Sequence, residues 1–588
     1  MELPPNQPRV LRFGVFEVDL EARELRKSGM RQKLAGQPFE VLQLLLERSQ
    51  QIITRKELQQ RVWPSNTFID YDLALKKAIN RIREVLGDSA ENPRFIETIP
   101  RRGYRFIAPF IERGTPPGTP AVPATAVSGD SIAVLPFTSM STDPQDELFA
   151  DGMTEEIINA LAQINQLHVV ARTSAFSYKA KYIDVREVGR QLNVRTALLG
   201  SIRRAGTRLR ITIQLVDVRD GCHLWSERYD RELGDIFDLQ DEIARSIVSR
   251  LKVTVEIKSQ EPLVKPGTKN LQAYSLYVKG RALLYRRGVK VSLALECFKQ
   301  AVALDSEYAL AWAGIADAYT LLGFYGFMHP ETSRPKWQEA ARRALAADPL
   351  LAEAHNALAF GSLMYEWDKP LAEREFLCAL ELNPLYVQAR DWYACFYLGT
   401  TAGRLNEGVA QAELAVESDP LSCYANSILG LLYGGAGRFS DATQSSGRAV
   451  ELDSESFLPR WVRQMVLFYS GRFEEAVAAG QAALAISGRH PWALAALTVT
   501  LAHWGKFTEA EFVYAELIAR ARREYVLPSA LSVSAGAIGR HNEAMRHACE
   551  AIAIRDPFRV VFSSNWQFSA RLRADSQIDQ MLQEEGID

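Results

Sequence analysis

Residues 69–107 read IDYDLALKKAINRIREVLGDSAENPRFIETIPRRGYRFI and combine an amphipathic helix with a basic hairpin. The apolar positions of the helix are Leu75, Ile79, Ile82 and Leu86. Their spacing predicts one buried stripe on a helix that ends at Gly87. Two strand-like runs then flank a Pro-Arg-Arg-Gly turn at 100–103, which predicts a hairpin with arginines at its tip. A solvated surface helix would explain the helix alone, but the adjacent hairpin favours a winged helix-turn-helix, an α+β fold.

The face of this helix that lies away from the stripe is basic, and so is the hairpin. The candidate DNA-binding residues are Leu73, Lys76, Lys77, Asn80, Arg81 and Arg83 on the helix and Arg101, Arg102 and Arg105 on the hairpin. The helix residues are expected to face bases and phosphates in the major groove, with Leu73 available to a thymine methyl group. The hairpin arginines are expected to hold the backbone or the minor groove. Because the net charge of the chain is −2, double-stranded DNA would be bound by this local patch.

Two more helices and several strands are predicted upstream. Thr54 and Glu57 form a capping-box pattern that opens a helix ending near Val62, and a proline opens an apolar helix over 39–47. The stretch 11–34 has the pattern of short antiparallel strands. Together with the reading helix, these helices supply the three that a helix-turn-helix core needs.

Residues 10–108 resemble the OmpR/PhoB-type DNA-binding domain, which is related to phosphorelay regulators. The resemblance is carried by the leading strands, the capped helix followed by Val62-Trp63, the Asn80-Arg81-Ile82-Arg83 helix, and the wing residues Arg94 to Thr98 and Arg102 to Tyr104. It implies a winged helix over 10–110 that binds duplex DNA. No receiver module is expected before it, so control is expected from elsewhere in the chain.

A proline-rich stretch, 111–130, follows the winged helix and is expected to act as a semi-extended tether. Some relatives of the domain are anchored in a membrane just beyond the wing. Here no span is expected, because the longest uncharged stretch, 421–437, is interrupted by Ser, Asn and Gly residues. The chain has no secretory signal pattern, and its six cysteines form no CxxC pair, which together favour a cytoplasmic location.

Residues 131–255 have the pattern of an α/β domain. Strands are predicted at 131–137, 167–171, 197–204, 208–218 and 223–229, and helices at 146–162, 184–192 and 238–251. The motifs IAVLPF at 132–137, FADG at 149–152 and LGS at 199–201 make the segment similar to the TolB amino-terminal-like domain. That resemblance implies a sensing or protein-contact role and names no ligand.

The remainder of the chain, 270–588, repeats with a period of 34 residues. The glycines that mark the period are Gly403, Gly437, Gly471, Gly505 and Gly539, each followed five positions later by Gly or Ala. Asp-Pro or Asn-Pro pairs recur with nearly the same spacing, as at Asp348-Pro349 and Asn383-Pro384. A small residue at the helix crossing and a proline-type break are the signature of tetratricopeptide repeats.

The repeats predict an all-α solenoid of about eight helical pairs between 271 and 556, with a longer connection around 323–335 and a capping helix at 576–584. Such an array has a concave groove, in which a protein or peptide partner is expected. Its aromatic residues, among them Trp392 and Trp461, are expected mainly in the core.

The motifs predict no catalytic, cofactor or metal site, since GxxxxGK[ST], HExxH and GxSxG are all absent. Acidic residues near 143–151 are explained as helix-cap and dipole partners. The predicted molecule is a non-enzymatic bacterial transcriptional regulator of the one-component type, multidomain, with a possible homodimer on DNA. The alternative is a scaffold or adaptor in which the repeats dominate and the winged helix makes protein contacts.

Overall fold

The computed structural model divides the chain into two compact units, 1–124 and 125–588, each of which is described by itself. The residues it describes are 10–13, 16–19, 23–27, 30–32, 34, 36–48, 53–63, 71–86, 88, 95–99, 102–106, 111–112, 130–141, 144–162, 164, 167–179, 184–205, 208–232, 236–251, 267–564 and 566–587. Within them, no helix is both long enough and apolar enough to cross a bilayer.

The first unit consists of two small sheets and three helices. Its elements are β1 (Val10–Phe13), β2 (Phe16–Asp19), β3 (Glu24–Lys27), β4 (Met30–Gln32), α1 (Gln37–Glu47), β5 (Ile53–Thr54), α2 (Arg55–Val62), α3 (Tyr71–Leu86), β6 (Ile96–Ile99), β7 (Gly103–Phe106) and β8 (Ile111–Glu112). The larger sheet has the strand order β4-β3-β2-β1-β8, and the smaller one has the order β5-β7-β6. Because β8 pairs with β1, the start of the predicted tether belongs to the sheet.

Local sequence signals explain the helices of this unit. The hydroxyl of Thr54 accepts a hydrogen bond from the Glu57 backbone N–H, and the Glu57 carboxylate accepts one from the Thr54 N–H, so the predicted capping box is confirmed. The four apolar positions of α3 are each 3% exposed or less and pack in one core with α1. The predicted winged helix-turn-helix fold is therefore confirmed.

The second unit begins with an α/β domain. Its elements are β9 (Asp130–Val134), β10 (Thr138–Ser139), α4 (Pro144–Ala162), β11 (Leu167–Val169), α5 (Arg172–Phe176), α6 (Val185–Leu192), β12 (Thr196–Ala205), β13 (Arg208–Asp217), β14 (His223–Glu232) and α7 (Ile236–Leu251). The sheet order is β11-β9-β12-β13-β14, with β10 beside β12. Strands β11, β9 and β12 run parallel, and β12, β13 and β14 form antiparallel hairpins. The predicted α/β class is confirmed, whereas α5 and β10 were not predicted.

Eight helical pairs follow, as predicted. The helices are α8 (Leu271–Tyr285), α9 (Lys290–Leu304), α10 (Ala309–Phe324), α11 (Pro330–Ala347), α12 (Ala352–Gly361, continued as a π-helix over Ser362–Glu366), α13 (Lys369–Leu382), α14 (Val387–Trp392, continued as a π-helix over Tyr393–Thr401), α15 (Leu405–Ser418), α16 (Cys423–Gly435), α17 (Phe439–Leu452), α18 (Phe457–Tyr469), α19 (Phe473–Ile486), α20 (Pro491–His503), α21 (Phe507–Ala521), α22 (Pro528–Ala537) and α23 (His541–Ala553). Short helical turns at Pro557–Phe562 and Gln567–Ser569, then α24 (Ala570–Arg573) and α25 (Ser576–Glu584), complete the chain.

The five periodic glycines all have φ between +64° and +84°, the left-handed region that glycine adopts without strain. They therefore make the turns between the helices of a pair, as the period predicts. The prediction of a longer connection around 323–335 is wrong. Helix α10 runs to Phe324, and α11 already begins at Pro330, where a proline suits the first helical turn. Pro335 lies inside α11, where proline has no backbone N–H to donate, and Trp337, two residues later, is buried.

The array closes on itself across its inner side. Phe324, at the end of α10, lies edge-on to Trp492 of α20 with ring centroids 4.8 Å apart. Phe558, in the turn after α23, stacks on Trp492 at 4.3 Å. Farther along, the indole of Trp566 donates to the Thr400 hydroxyl at 2.9 Å. The groove predicted to receive a partner is therefore filled, over this stretch, by the chain itself.

The α/β domain is docked against the early repeats. Both the backbone N–H and the hydroxyl of Ser174 donate to the carboxylate of Asp419. The backbone of Ala171 donates to the carbonyl oxygen of Ser418 at 3.0 Å, and Leu421 donates to the Ser174 hydroxyl at 2.8 Å. These bonds join α5 to the loop between α15 and α16, so the α/β domain and the solenoid form one body.

Several acids are buried inside the second unit and bind their protons unusually tightly. Burial raises the pKa of Asp317 to about 7, although Arg281 and Arg287 oppose the shift. Burial also raises the pKa of Asp419 to about 6, against the hydrogen bonds from Ser174. Each of these carboxyls therefore costs stability when it ionises.

We expect the second unit to become more stable as the pH falls from 8 to 6. A carboxyl whose folded pKa exceeds its unfolded value of about 4 takes up its proton in this range only when folded, and this favours the folded state. Asp317→Asn should flatten the dependence without abolishing it, because Asp419 still titrates. Thermal unfolding of the full chain across a pH series measures this, with the exposed Glu381→Gln as the matched control. An Asp317→Asn slope equal to that of the unsubstituted protein would contradict the assignment.

Candidate nucleic-acid interface

Four of the predicted contact residues lie together on the outer face of α3. They are Lys76, Lys77, Asn80 and Arg81, and all four side chains are exposed. The opposite face of the helix is buried against α1, so these side chains are held on a fixed backbone. Leu73 also lies in α3, but its side chain is outside the described residues.

Arg83 does not belong to this exposed face. Its side chain is only 8% exposed, and its guanidinium donates to the backbone carbonyl of Ile96 and to the hydroxyl of Thr98, both at 2.8 Å. At about 100° per residue, Arg83 lies roughly 70° from the centre of the apolar stripe, whereas Lys77 lies roughly 170° from it. The expectation that Arg83 faces the major groove is therefore corrected: this side chain ties α3 to β6.

The hairpin carries one exposed cation at its described tip. Arg102 is exposed in the turn, and its backbone carbonyl accepts from the Arg55 N–H at the start of α2. Arg101 lies outside the described residues. Arg105 forms an ion pair with Glu97 across the hairpin at 2.6 Å, with each side chain about one-third exposed. Arg105 is thus a partly neutralised cation, and its expected contact with DNA stays a prediction.

Gly103 fixes the position of the hairpin against the helical core. A Cβ atom at this position would lie 2.0 Å from the carbonyl oxygen of Ile53, a distance that no side chain tolerates. Glycine therefore allows β7 to pair with β5, where Ile53 faces Tyr104. This pairing places the hairpin tip beside the first turn of α2.

Two residues that sequence reasoning missed help to position the hairpin. The carboxylate of Asp88 accepts from the backbone N–H groups of Phe95 and Ile96, at 3.3 Å and 2.8 Å. Thr98 accepts from Arg83, as described above. Asp88 comes two residues after the end of α3, so its position after a helix and before a strand was the available signal.

Among the described residues, no group of three or more His, Cys, Asp or Glu side chains is arranged to hold a metal ion. All six cysteines are free thiols. The candidate site is therefore one of exposed cationic and amide side chains on a rigid support, a chemistry suited to phosphates and base edges.

Residues 29–106 match the family described as transcriptional regulatory protein, C terminal. These residues form an OmpR/PhoB-type DNA-binding domain. The OmpR/PhoB-type domain is followed by residues 128–246, which match the second domain of HilA/YgeH-like transcriptional regulators. The predicted resemblance to regulators with this arrangement is confirmed, while the likeness of the middle segment to TolB stays a prediction.

Three relatives show how far the similarity extends. A protein of Rhizobium meliloti (strain 1021) named as an adenylate cyclase is 38% identical over 270 residues, 45% of this chain and 44% of that protein. The cholera toxin homolog transcriptional activator of Vibrio parahaemolyticus serotype O3:K6 is 37% identical over 84 residues, 14% of this chain and 28% of that protein. The transcriptional regulator HilA of Salmonella typhimurium (strain LT2) is 22% identical over 432 residues, 69% of this chain and 70% of that protein. The similarity thus spans less than half of the first two relatives.

We expect Arg83→Met to destabilise the OmpR/PhoB-type domain by about 1–3 kcal/mol, because it leaves the Ile96 carbonyl and the Thr98 hydroxyl without their donor. Hydrogen exchange of the full chain, followed by mass spectrometry in peptides covering 96–106, reports this locally. Lys77→Met on the exposed face of the same helix is the matched control and should change exchange little. Equal protection in both variants would show that the buried guanidinium does not tie the hairpin down.

Proposed function

We propose that this chain is a sequence-specific DNA-binding transcriptional regulator whose OmpR/PhoB-type domain reads duplex DNA with α3. The observation that carries the proposal is the row of exposed side chains Lys76, Lys77, Asn80 and Arg81 on a helix whose other face is buried. The major groove admits one α-helix, and a helix supported from behind can present such a row to it. The match of residues 29–106 to a DNA-binding family supports the same assignment.

The contacts proposed for these side chains differ with the chemistry of each side chain. Asn80 is the candidate for a paired contact with an adenine edge, because its amide both donates and accepts hydrogen bonds. Lys76, Lys77 and Arg81 supply cations for phosphates or guanine edges, and Leu73 stays the candidate for a thymine methyl group. Arg102, with Arg101, is proposed to hold the backbone or the minor groove from the hairpin tip.

Arg83 and Arg105 take different roles in this proposal from the ones their residue types first suggested. Arg83 is a positioning residue, because its guanidinium is already bonded to β6. Arg105 neutralises Glu97 beside the hairpin. That pair limits repulsion between an acidic side chain and the phosphates, so its contribution to DNA affinity is indirect.

The second unit is proposed to receive the signal for the regulator. The domain plan on which this rests is a winged helix over 10–110, a tether over 111–130, an α/β domain over 131–255 and repeats over 270–588. A protein or peptide partner of the repeats, pairing of two chains on DNA and a cytoplasmic location belong to the same proposal. A partner that used the inner face would have to displace the turn that carries Phe558, which stacks there on Trp492.

We expect the full chain to bind duplex DNA, selected from a random pool, with an affinity that falls steeply as salt rises. Lys77→Gln and Arg102→Gln should each weaken binding and lower the slope of log affinity against log salt by about 1, because each removes roughly one phosphate contact. Fluorescence anisotropy titrations at several salt concentrations measure both quantities. Lys290→Gln makes the same charge change at an exposed lysine of the solenoid and should leave both unchanged.

The same titration separates this function from the scaffold alternative. If the full chain selects no duplex, or if its affinity does not depend on salt, the winged helix makes protein contacts instead and the repeats carry the function. If Lys77→Gln and Arg102→Gln both bind like Lys290→Gln, DNA is held by another surface. Either result would overturn the assignment of α3 and the hairpin.

A further inference from the structure

A cavity with several charged groups in its lining lies within the second unit, between the α/β domain and the repeats. Its volume is about 130 Å³. Helices α4 and α5 contribute one wall, and α8, α14 and the start of α16 contribute much of the rest. One buried water molecule needs roughly 10–15 Å³ of such a cavity, so this cavity has room for a small molecule of about ten non-hydrogen atoms.

Most of the charged groups that line the cavity already have partners. Arg172 donates to Glu155 at 2.8 Å, and Arg281 approaches the same carboxylate at 3.9 Å. Asp419 accepts from Ser174. These contacts give partners to Glu155, the acid that the α/β domain contributes to the lining, and to Asp419 of the solenoid.

Three of the remaining ionisable groups, Asp391, Arg281 and Arg287, are incompletely bonded, and Glu353, which also lines the cavity, interacts electrostatically with Arg281. Asp391 in α14 is 0% exposed, and neither of its carboxylate oxygens has a hydrogen-bond partner in the described part of the chain. On the cationic side, Nε of Arg281 and Nη1 of Arg287 are likewise buried without an acceptor there. Arg281 is itself only 7% exposed. The lining thus offers an unmatched acceptor and unmatched donors within one cavity.

The apolar part of the lining includes three tyrosine rings. Tyr285, Tyr386 and Tyr424 line the cavity, and the guanidinium of Arg287 lies 4.8 Å from the centre of the Tyr424 ring. Walls of this kind accommodate a short carbon skeleton while a few polar groups fix its orientation.

We propose that this cavity binds a small zwitterion of the α-amino-acid class, with its ammonium group on Asp391 and its carboxylate on Arg281 and Arg287. A simple cation would satisfy Asp391 and leave the guanidinium donors unmatched, and a simple anion would do the reverse. A molecule with both charges on a short skeleton satisfies both sets, which a buried site requires.

Binding at this cavity stabilises the docking of the α/β domain on the repeats, because both supply its walls. A ligand that binds only the docked state shifts the population toward it. This inference goes beyond the proposed DNA binding and does not depend on it, since every residue involved lies in the second unit.

The test is a thermal-shift screen of the full chain with each standard L-α-amino acid in turn, followed by calorimetric titration of those that raise the melting temperature. Butylamine and butyrate serve as probes with a single charge. We expect at least one amino acid to bind saturably and neither single-charge probe to do so. If no amino acid binds, the proposal is overturned and the cavity holds water only. If a single-charge probe binds equally well, the proposal is also overturned, because one charge is then enough for binding.

Asp391→Asn removes the charge at nearly constant shape and should weaken amino-acid binding roughly tenfold or more. The exposed Glu381→Gln makes the same chemical change outside the cavity and should bind like the unsubstituted protein. The melting temperature without ligand shows whether Asp391→Asn is folded, and Arg287→Gln provides a second arm with the same expected loss. Retention of full affinity in both cavity variants would place any bound amino acid elsewhere.

Discussion

The inner side of the repeat array has to be covered, and much of the second unit follows from that constraint. The first helices of the pairs carry large aromatic rings and charged groups on their inner sides. The rings are stabilised by burial, whereas the charged groups need polar partners, and water alone cannot meet both requirements. Two parts of the same chain cover them: the α/β domain lies over the early repeats, and the turns after α23 lie among the aromatic rings of the later ones. A solenoid is usually a chain of nearest-neighbour contacts, whereas here Phe324 and Trp492 join distant pairs.

This closure changes what the repeats can do. An open array binds peptides along its concave face, but here Phe558 already occupies that face in stacking contact with Trp492. The small-molecule site that we propose lies instead at the boundary between the α/β domain and the repeats. Because both domains line the cavity, a molecule bound there would stabilise the contact between the α/β domain and the repeats.

The sequence predicted the elements well because their signals are local. Each turn glycine of the repeats, the Thr54 and Glu57 capping box and the alternating strands act within a few residues, and the 34-residue period repeats one such local signal. The site was predicted less well, because side-chain partners come from elsewhere in the chain. Arg83 lies at the border of the apolar stripe, and because arginine is usually exposed, the sequence predicted an exposed side chain. Its acceptors on β6 are known only from the structure. Predicting the pairing of Arg105 with Glu97 would have required the register of the hairpin. Predicting the filled groove would have required the contacts between distant repeats.

The distribution of buried charge also separates the two units. In the OmpR/PhoB-type domain, the buried guanidinium of Arg83 has neutral acceptors and acts as a tie between reading helix and hairpin. In the second unit, burial raises the pKa of Asp317 to about 7, that of Asp419 to about 6 and that of Glu156 to about 8. Apolar residues would stabilise a passive contact better than ionisable groups do. One of these acids, Asp419, lines the cavity, and an ionisable group kept there favours a boundary that responds to a bound molecule over one that only holds two domains together.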